Sequence, residues 1–345
     1  MKREQIGLSL GLRLLAILLA LLFTVMVLLL SGAPPLEAFR QIVLGAFGSY
    51  KRFTDVLVSW VPLLLVSSGL LITFTAGLWN IGIEGQITLG AIATTWALRL
   101  LQDSTFPPAL SLLLATLAGM LGGAIWALLA GALKTFGGVN EIFGGLGLNF
   151  VATALTLWLI FGPWKRPGIG SMSGTEPFPQ ALWLPVLPGL RLSLWALVPG
   201  LLAWGMVFLL LSNTYFGLRL KAVGKNLRAA YLLGVPTWQH MMLAFLLCGA
   251  LGGLAGSFQV TAVYHRLIPA ISSGYGYLGL LVAMLVNFQT LWVAPVAFFF
   301  AALNLGSIQL PIVLKLDSSL SGVIQGVLVL FVLLLDGVRR RMERG

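Results

Sequence analysis

The chain has 345 residues, of which 59% are hydrophobic and only 9% charged, and its mean hydropathy is +0.99. A soluble domain carries about a quarter charged residues, so this composition excludes a soluble chain and indicates an integral membrane protein. The formal charge of +11 does not indicate nucleic acid, because the basic residues are dispersed around apolar runs and at their ends.

Uninterrupted apolar runs of about 20 residues indicate helices rather than a barrel. The first runs from Leu12 to Leu30 and stops before Pro34-Pro35. The start looks like a signal peptide, but the apolar stretch from Leu14 to Leu30 is too long for an h-region and reads as a retained span. Glu37 to Asp55 is mixed and predicts an amphipathic helix on the far surface. Span 2 covers Val56 to Ala76, with Pro62 near its start, where a lost backbone donor costs least. The glycine-rich stretch GLWNIGIEGQITLG, Gly77 to Gly90, follows, and then an apolar run to Leu101. Phe106-Pro107-Pro108 marks a turn. Spans 4 and 5 run from Ala109 to Leu133 and from Gly147 to Phe161.

The longest break in hydropathy, 162–192, is rich in Gly and Pro and predicts an ordered loop or short helices outside the bilayer. Span 6 covers Ser193 to Leu211, a second polar segment occupies 212–240, and span 7 runs from Met241 to Ala262. Tyr275 to Phe288 and Leu291 to Leu305 are shorter. At 1.5 Å per residue each reaches only about 21–23 Å, against a hydrocarbon core of roughly 30 Å, so they are half-crossings of a broken pair or spans extended by polar flanks. A final run, Ser319 to Leu335, precedes DGVRRRMERG. The expectation is an all-α polytopic membrane protein forming one transmembrane domain over 1–345, with about ten transmembrane helices (range roughly 8–10).

Ten crossings with an inside N-terminus put Lys2, Arg3, Arg13, Lys134, Arg219, Lys221, Lys225, Arg228, Arg339, Arg340, Arg341 and Arg344 inside. The remaining Lys and Arg fall outside. The bias is modest, but the two densest clusters, 219–228 and 339–344, are both on the inner side.

Within Gly77 to Gly90, Asn80 and Glu84 stand four residues apart and can share a helical face, with Gln86 pointing elsewhere. Gly82 and Gly85 argue against a rigid helix there. Glu84 needs an explanation, because an ionised carboxylate in hydrocarbon is expensive. Glu84 and Glu141 each head an apolar run, beside Asn80 and Asn140. Two readings stand: capping or packing residues at helix N-termini, or helix ends that line a passage. Asn149, Gln259, Asn287, Gln289, Asn304 and Gln309 add uncharged donors and acceptors suited to a polar neutral solute. Glu37, Asp55, Asp103 and Asp317 fall near the outer edges, and Asp336 and Glu343 among the terminal arginines.

Between Phe216 and Pro236, Leu218, Ala222, Lys225, Ala229 and Leu232 lie near one helical face, with Arg219, Lys221 and Arg228 around it. Gly224-Lys225-Asn226 interrupts this pattern, and Gly234-Val235-Pro236 stops it. Such a basic segment is either a lipid-facing inside loop or a docking element for a soluble partner. Cys248 reads as a packed small side chain. His240 and His265 have no acid or cysteine partner set, and there is no metal-ligand motif and no catalytic constellation. GALGGLAGS, from Gly249, is not a phosphate-binding loop, and its glycines suit close helix approach. Any ATP hydrolysis therefore belongs to a partner.

Three ordered stretches carry a family resemblance: GLWNIGIEGQITLGA, then FGLRLKAVGKNLRAAYLLGV with Arg219, Val223-Gly224, Asn226, Ala229-Ala230 and Gly234, then MLAFLLCGALGGLAGSF. GVNEIFGGLGLNF and SGVIQGVLVLFV also fit. The chain resembles the permease subunits of bacterial ABC importers for simple sugars, nucleosides and branched-chain amino acids. The Glu-Gly-Gln form, the Asn140-Glu141 pair and the length make it look most like the nucleoside-type permeases. It departs from the pattern at Leu227, where Pro commonly follows the Asn, and at Tyr277 to Leu281, where an acidic residue often precedes Gly-Ile-Ala.

The resemblance implies a type II-like ABC importer permease fold with broken helices, working by alternating access in a bacterial inner membrane with both termini cytoplasmic. It implies three protein partners: a cytoplasmic two-domain ABC ATPase that carries ATP and Mg, a second related permease, and an extracytoplasmic substrate-binding lipoprotein. No cofactor on this chain and no nucleic-acid partner are implied. Asn80, Glu84, Gln86, Asn140, Glu141, Asn149 and Asn287 become candidates for the translocation pathway or gate. Arg219, Lys221, Gly224, Asn226, Arg228 and Gly234 become candidates for coupling to the ATPase. Composition alone equally permits a gradient-driven secondary transporter or channel, with Glu84 as the tempting coupling acid.

Overall fold

The structure, a computed structural model, describes residues 15, 18–166, 168, 174–316 and 320–342. Lys2, Arg3, Arg13, Asp317, Glu343 and Arg344, the first residues of the predicted first span and part of the 162–192 segment lie outside the described residues. Among the described residues, regular structure is helical throughout.

Helix α1 (Leu18–Leu30) bends through 109° into α2 (Pro35–Phe47). Gly32, at φ +73, and the Pro34-Pro35 pair make that bend, since a helix cannot continue through two prolines. The segment predicted as one amphipathic helix from Glu37 to Asp55 is therefore two pieces, because α3 (Tyr50–Thr75) already starts at Tyr50. There follow α4 (Ile83–Leu101), α5 (Pro108–Thr135), α6 (Glu141–Phe161), α7 (Leu194–Asn213), α8 (Tyr215–Lys225), α9 (Leu227–Leu232) and α10 (Thr237–Phe258). A π-helical turn, Gln259–Tyr264, extends α10, and α11 (Tyr275–Leu285), α12 (Val293–Ser307), α13 (Gln309–Leu314) and α14 (Leu320–Met342) complete the order.

The chain divides into two compact units, residues 1–56 with 298–345, and residues 57–297. In the first, Leu28, Ala38, Ile42, Leu310, Leu320 and Ile324 form the core. A Cβ on Gly45 would stand 2.6 Å from the Gly306 carbonyl oxygen, so α2 and α12 touch backbone to backbone there.

In the second unit, α4, α5 and α10 pack closely on one another, and α6 lies against α4 and α5. Glycine makes that approach possible. A Cβ on Gly123 would fall 2.7 Å from Gly253 Cα, and one on Gly256 2.8 Å from the Ala91 amide nitrogen. At the same crossing the Thr94 and Ser257 hydroxyls pair at 2.7 Å. Ala91, Leu98, Ala115 and Val260 continue the core, which also takes in Phe178 and Leu182. The predicted 162–192 loop is thus ordered where it is described. Thr175 N and Phe178 N donate to the Leu267 and His265 carbonyls, each at 2.9 Å.

Six helical stretches among the described residues are long and apolar enough to cross a membrane, or up to seven if the bent α1–α2 pair is one span. The expected total of about ten, and even its lower bound of eight, is too high. Three of the expected spans account for the excess. Helix α4 has 19 residues but carries Glu84, Gln86, three threonines and Arg99, and its composition falls short of a span. Helix α11 has 11 residues, about 16 Å of rise, and is too short. The terminal run contributes only the shorter apolar stretch Gly322–Leu335. Leu291 to Leu305 is not a half-crossing either, since it belongs to the 25-residue stretch Thr290–Leu314. The assignment of sides by alternation across ten crossings loses its basis with the count. Burial separates the spans: the apolar windows of α3 and α10 are 78% and 72% buried, against 28% to 39% for the other four. The latter expose large apolar faces suited to lipid or a partner.

Candidate functional site

The Gly77–Gly90 stretch begins as a turn and becomes helical only at Ile83. Asn80 therefore does not share a helical face with Glu84. It folds back on Gln86 instead, and the two amides form a reciprocal pair. Asn80 Nδ2 donates to Gln86 Oε1 at 3.1 Å and Gln86 Nε2 donates to Asn80 Oδ1 at 2.9 Å. Asn80 Nδ2 also reaches Cys248 Sγ of α10 at 3.2 Å. Asn80 is 1% exposed and Gln86 0%, so each amide satisfies the other where water does not.

Asn149 of α6 clasps the same turn from the opposite side. Its Nδ2 donates to the Ile81 carbonyl at 3.0 Å, and its Oδ1 accepts the Gly85 amide at 2.8 Å. The Gly85 N–H is one of the orphan donors of a helix start, so Asn149 acts as a cap supplied by another helix. Gly82 and Gly145 permit the approach, a Cβ on Gly145 falling 2.6 Å from the Gly82 nitrogen.

Glu84 points away from this pair, toward α11. Its Oε2 accepts the Gly276 amide at 2.7 Å, and Ser272, Gly274 and Tyr277 surround the same carboxylate. The carboxylate thus sits at the N-terminus of an 11-residue helix, where backbone N–H groups and the helix dipole compensate its charge. A Cβ on Gly276 would lie 2.9 Å from Glu84 Cα, so only glycine fits opposite.

Asn140 and Glu141 occupy the start of α6. Asn140 Oδ1 accepts the Ile142 amide at 2.9 Å as the N-cap, and Glu141 pairs with Lys134 of α5 at 2.6 Å. Asn287 lies in the turn after α11, exposed and with φ +48. The seven pathway candidates play different parts, and Glu141 also meets the Trp79 backbone beside Asn80. Asn80, Gln86 and Asn149 organise one turn, Glu84 carries it to α11, Asn140 and Glu141 secure a helix start, and Asn287 belongs to the turn after α11.

Within 212–240, two short helices, α8 and α9, meet at the extended residue Asn226. Thr214 caps α8 through the Gly217 amide at 3.1 Å, and Asn226 caps α9 through the Ala229 amide at 2.9 Å. A continuous helical face from Leu218 to Leu232 does not exist. Leu220, Val223 and Ala230 are buried, whereas Arg219, Lys221, Lys225 and Arg228 are exposed beside Tyr215, Leu218, Tyr231, Leu232 and Leu233. Gly224 abuts the end of α3: a Cβ there would stand 3.0 Å from the Gly77 nitrogen, and one on Gly77 3.2 Å from Gly224 Cα. The two stretches singled out in the sequence thus touch, glycine to glycine. Gly77 (φ +73) and Gly234 (φ +80) also need the left-handed backbone.

Several partners escaped sequence reasoning. Cys248, Ser272 and Gly276 hold the motif from distant positions, and no local pattern announces them. His240 is buried, with Nδ1 2.9 Å from the Pro236 carbonyl and its ring stacked on Phe216. His265 stacks on Trp183 with ring centroids 3.8 Å apart.

An all-α, multi-pass membrane fold with an exposed basic two-helix element resting on a buried polar motif defines a membrane permease. The chain belongs to the family described as branched-chain amino acid transport system / permease component, whose profile matches residues 52–333. It is 30% identical to a glucose ABC transporter permease protein of Haloferax volcanii, over 96% of this chain and 89% of that one. It is 25% identical to a guanosine ABC transporter permease protein of Bacillus subtilis, over 92% and 91% of the two chains. A nucleoside ABC transporter permease protein of Lactococcus lactis subsp. cremoris is 30% identical over 66% of this chain and 72% of its own. The protein is accordingly a polytopic permease related to sugar, nucleoside and branched-chain amino acid import systems.

Proposed function

We propose that this chain is the transmembrane subunit of an ATP-driven importer of nucleosides, working by alternating access in a bacterial plasma membrane. A simple sugar is the second reading, favoured by the glucose permease among the relatives. The partners are a two-domain ABC ATPase on the cytoplasmic side, a second related permease, and a binding lipoprotein outside that delivers the solute. In this reading 162–192 faces outward, 212–240 faces the ATPase, and the whole chain acts as one permease domain.

The observation that carries the reading is the seating of the basic element. Arg219, Lys221 and Arg228 are exposed among apolar side chains, the composition of a docking surface, while Gly224 bears directly on Gly77. Movement of α8 by a partner is thereby delivered to the turn held by Asn80, Gln86 and Asn149, and through Glu84 to α11. Asn226 and Gly234 shape the element, and the polar motif transmits displacement without binding ATP.

The test is uptake of labelled guanosine and glucose in proteoliposomes, with the chain alone and with ATPase, second permease and binding protein. Uptake is expected only in the full assembly with ATP. Replacing Arg219 and Arg228 together by Glu should lower it at least about tenfold, with the chain still inserted. Ion-gradient-driven uptake by the chain alone, abolished by Glu84→Gln, would sink the importer reading and establish a secondary transporter.

A further inference from the structure

Tyr275 opens α11, is 7% exposed, and directs its hydroxyl to Ser59 of α3 and Gln259 of the π-helical turn. Gln259 is itself 2% exposed. Tyr264, the last residue of that turn, stands close to Tyr275, and its hydroxyl pairs with Ser273 at 3.0 Å. Five uncharged hydroxyl and amide side chains from three elements thus converge at one place. The inner members are buried and the outer ones, Ser59, Tyr264 and Ser273, are partly open.

Local backbone geometry is unusual on both sides. A π-helical turn is rare and recurs at functional sites. His265 (φ +54) and Ser273 (φ +50) hold the left-handed conformation without being glycine, a cost that persists where surrounding structure imposes it. Apolar side chains would fill this volume with no polar group to satisfy, so a convergent polar set inside an apolar bundle points to a ligand. Beside Gln259 a crevice lined by Val58, Pro62, Arg191, Ser193, Ala196 and Phe258 holds about 20 Å³, room for one water and not for a sugar ring. A sugar ring fits here only if the elements that line the crevice separate.

We propose that Ser59, Gln259, Tyr264, Ser273 and Tyr275 form a subsite for the hydroxyl groups of an uncharged sugar ring, a pentose or hexose, free or within a nucleoside. The importer reading supplies only the choice of solute. The Tyr264–Ser273 hydrogen bond is exchanged for one to a solute hydroxyl, and none of the five groups carries a formal charge that would trap the solute. Glu84 is a positioning residue. Its carboxylate holds the Gly276 amide at 2.7 Å, one residue from Tyr275, and so fixes the phenol relative to Ser59 and Gln259. The glycine-rich motif and the sugar subsite are then two faces of the same helix start.

Saturation-transfer NMR on the full chain in nanodiscs, with guanosine and with glucose as probes, reads weak binding directly. Transfer to the sugar ring protons of at least one probe is expected. Tyr275→Phe and Gln259→Leu should each weaken binding about three- to tenfold, the loss of roughly one neutral hydrogen bond. Tyr264→Phe, on the open side, repeats the test where folding is not at stake. At least one singly deoxygenated analogue of the responding probe should be insensitive to Tyr275→Phe, because it already lacks the contact. No transfer from the wild-type chain, undiminished transfer from the variants, or equal weakening of the parent and every deoxy analogue overturns the subsite. ATP-dependent uptake by the full assembly is measured separately. Variant-sensitive transfer without uptake keeps the subsite and removes the importer reading, and uptake without transfer does the reverse.

Discussion

The reciprocal amide pair between Asn80 and Gln86 offers a double-mutant cycle. Asn80→Leu removes hydrogen bonds of 2.9 and 3.1 Å and leaves the Gln86 amide, which is 0% exposed, without a partner. Side-chain hydrogen bonds between membrane helices have measured about 0.6 kcal/mol on average and about 1.7 at most, and an orphaned buried amide adds to this. Two bonds and one orphan give a loss of about 1–3 kcal/mol for Asn80→Leu, and a similar loss for Gln86→Leu. The double variant has no orphan, so it should recover about 1–3 kcal/mol relative to the sum of the singles. The assay is reversible unfolding of the purified chain in mixed micelles, titrated with a denaturing detergent. Additivity within about 0.5 kcal/mol would show that the two amides do not act as a pair and would refute the account of the motif given above.

Gly276→Ala places a methyl group 2.9 Å from Glu84 Cα and N, backbone atoms that cannot turn aside as the carboxylate can. It should cost about 1–3 kcal/mol in the same unfolding assay, as overpacking does, and a cost under about 0.5 kcal/mol would show that α11 shifts freely. Leu227→Pro should be neutral or stabilise by up to about 1 kcal/mol. Residue 227 is the first residue of α9, and Asn226 before it is already extended (φ −159, ψ 105), as a following proline requires. A loss above about 1 kcal/mol would contradict that geometry. Burial holds the His265 imidazole below its ordinary pKa, against an upward pull from the Thr261 carbonyl. Its contribution to stability is therefore fully present above the unfolded value of about 6.5 and is lost as pH falls from there toward the lowered folded value. The melting temperature of the wild-type chain should drop between about pH 7 and 5 by more than that of His265→Gln, and parallel profiles would exclude the effect.

Apolar runs in the sequence located the long helices well. Val56 to Ala76 was expected where α3 ends at Thr75, and Met241 to Ala262 where α10 and its π-helical turn reach Tyr264. The cap of α9 was also within reach, because an Asn after a Gly-Lys interruption is a local signal. Helical periodicity misled at Asn80, since it assumes a helix already in progress and α4 begins three residues later. It placed Asn80 beside Glu84, whereas the turn returns it to Gln86. The span count failed for a different reason. Counting each apolar run as a crossing overstates the total, because α4 carries Glu84, Gln86 and Arg99, α11 has only 11 residues, and the terminal run keeps only a short apolar stretch. Partners such as Cys248, Gly276 and Tyr275 are far from the motif in the chain, and their proximity exists only once the helices have assembled.

The position of α4 among α5, α6 and α10 bears on how the chain is made. Helices α3 and α5 are apolar enough to enter the bilayer as they leave the ribosome, but the segment between them is not. It packs against its neighbours, and one of them, α10, is synthesised long after α4 has emerged. During that interval Gln86 lacks the finished pocket to which α10 contributes Cys248, and Glu84 lacks the helix start it will hold. Until those partners are made, the polar side chains of this segment lack part of the hydrogen bonding they have in the finished fold. Many substitutions in the motif should lower the amount of protein in the membrane before they alter what it carries.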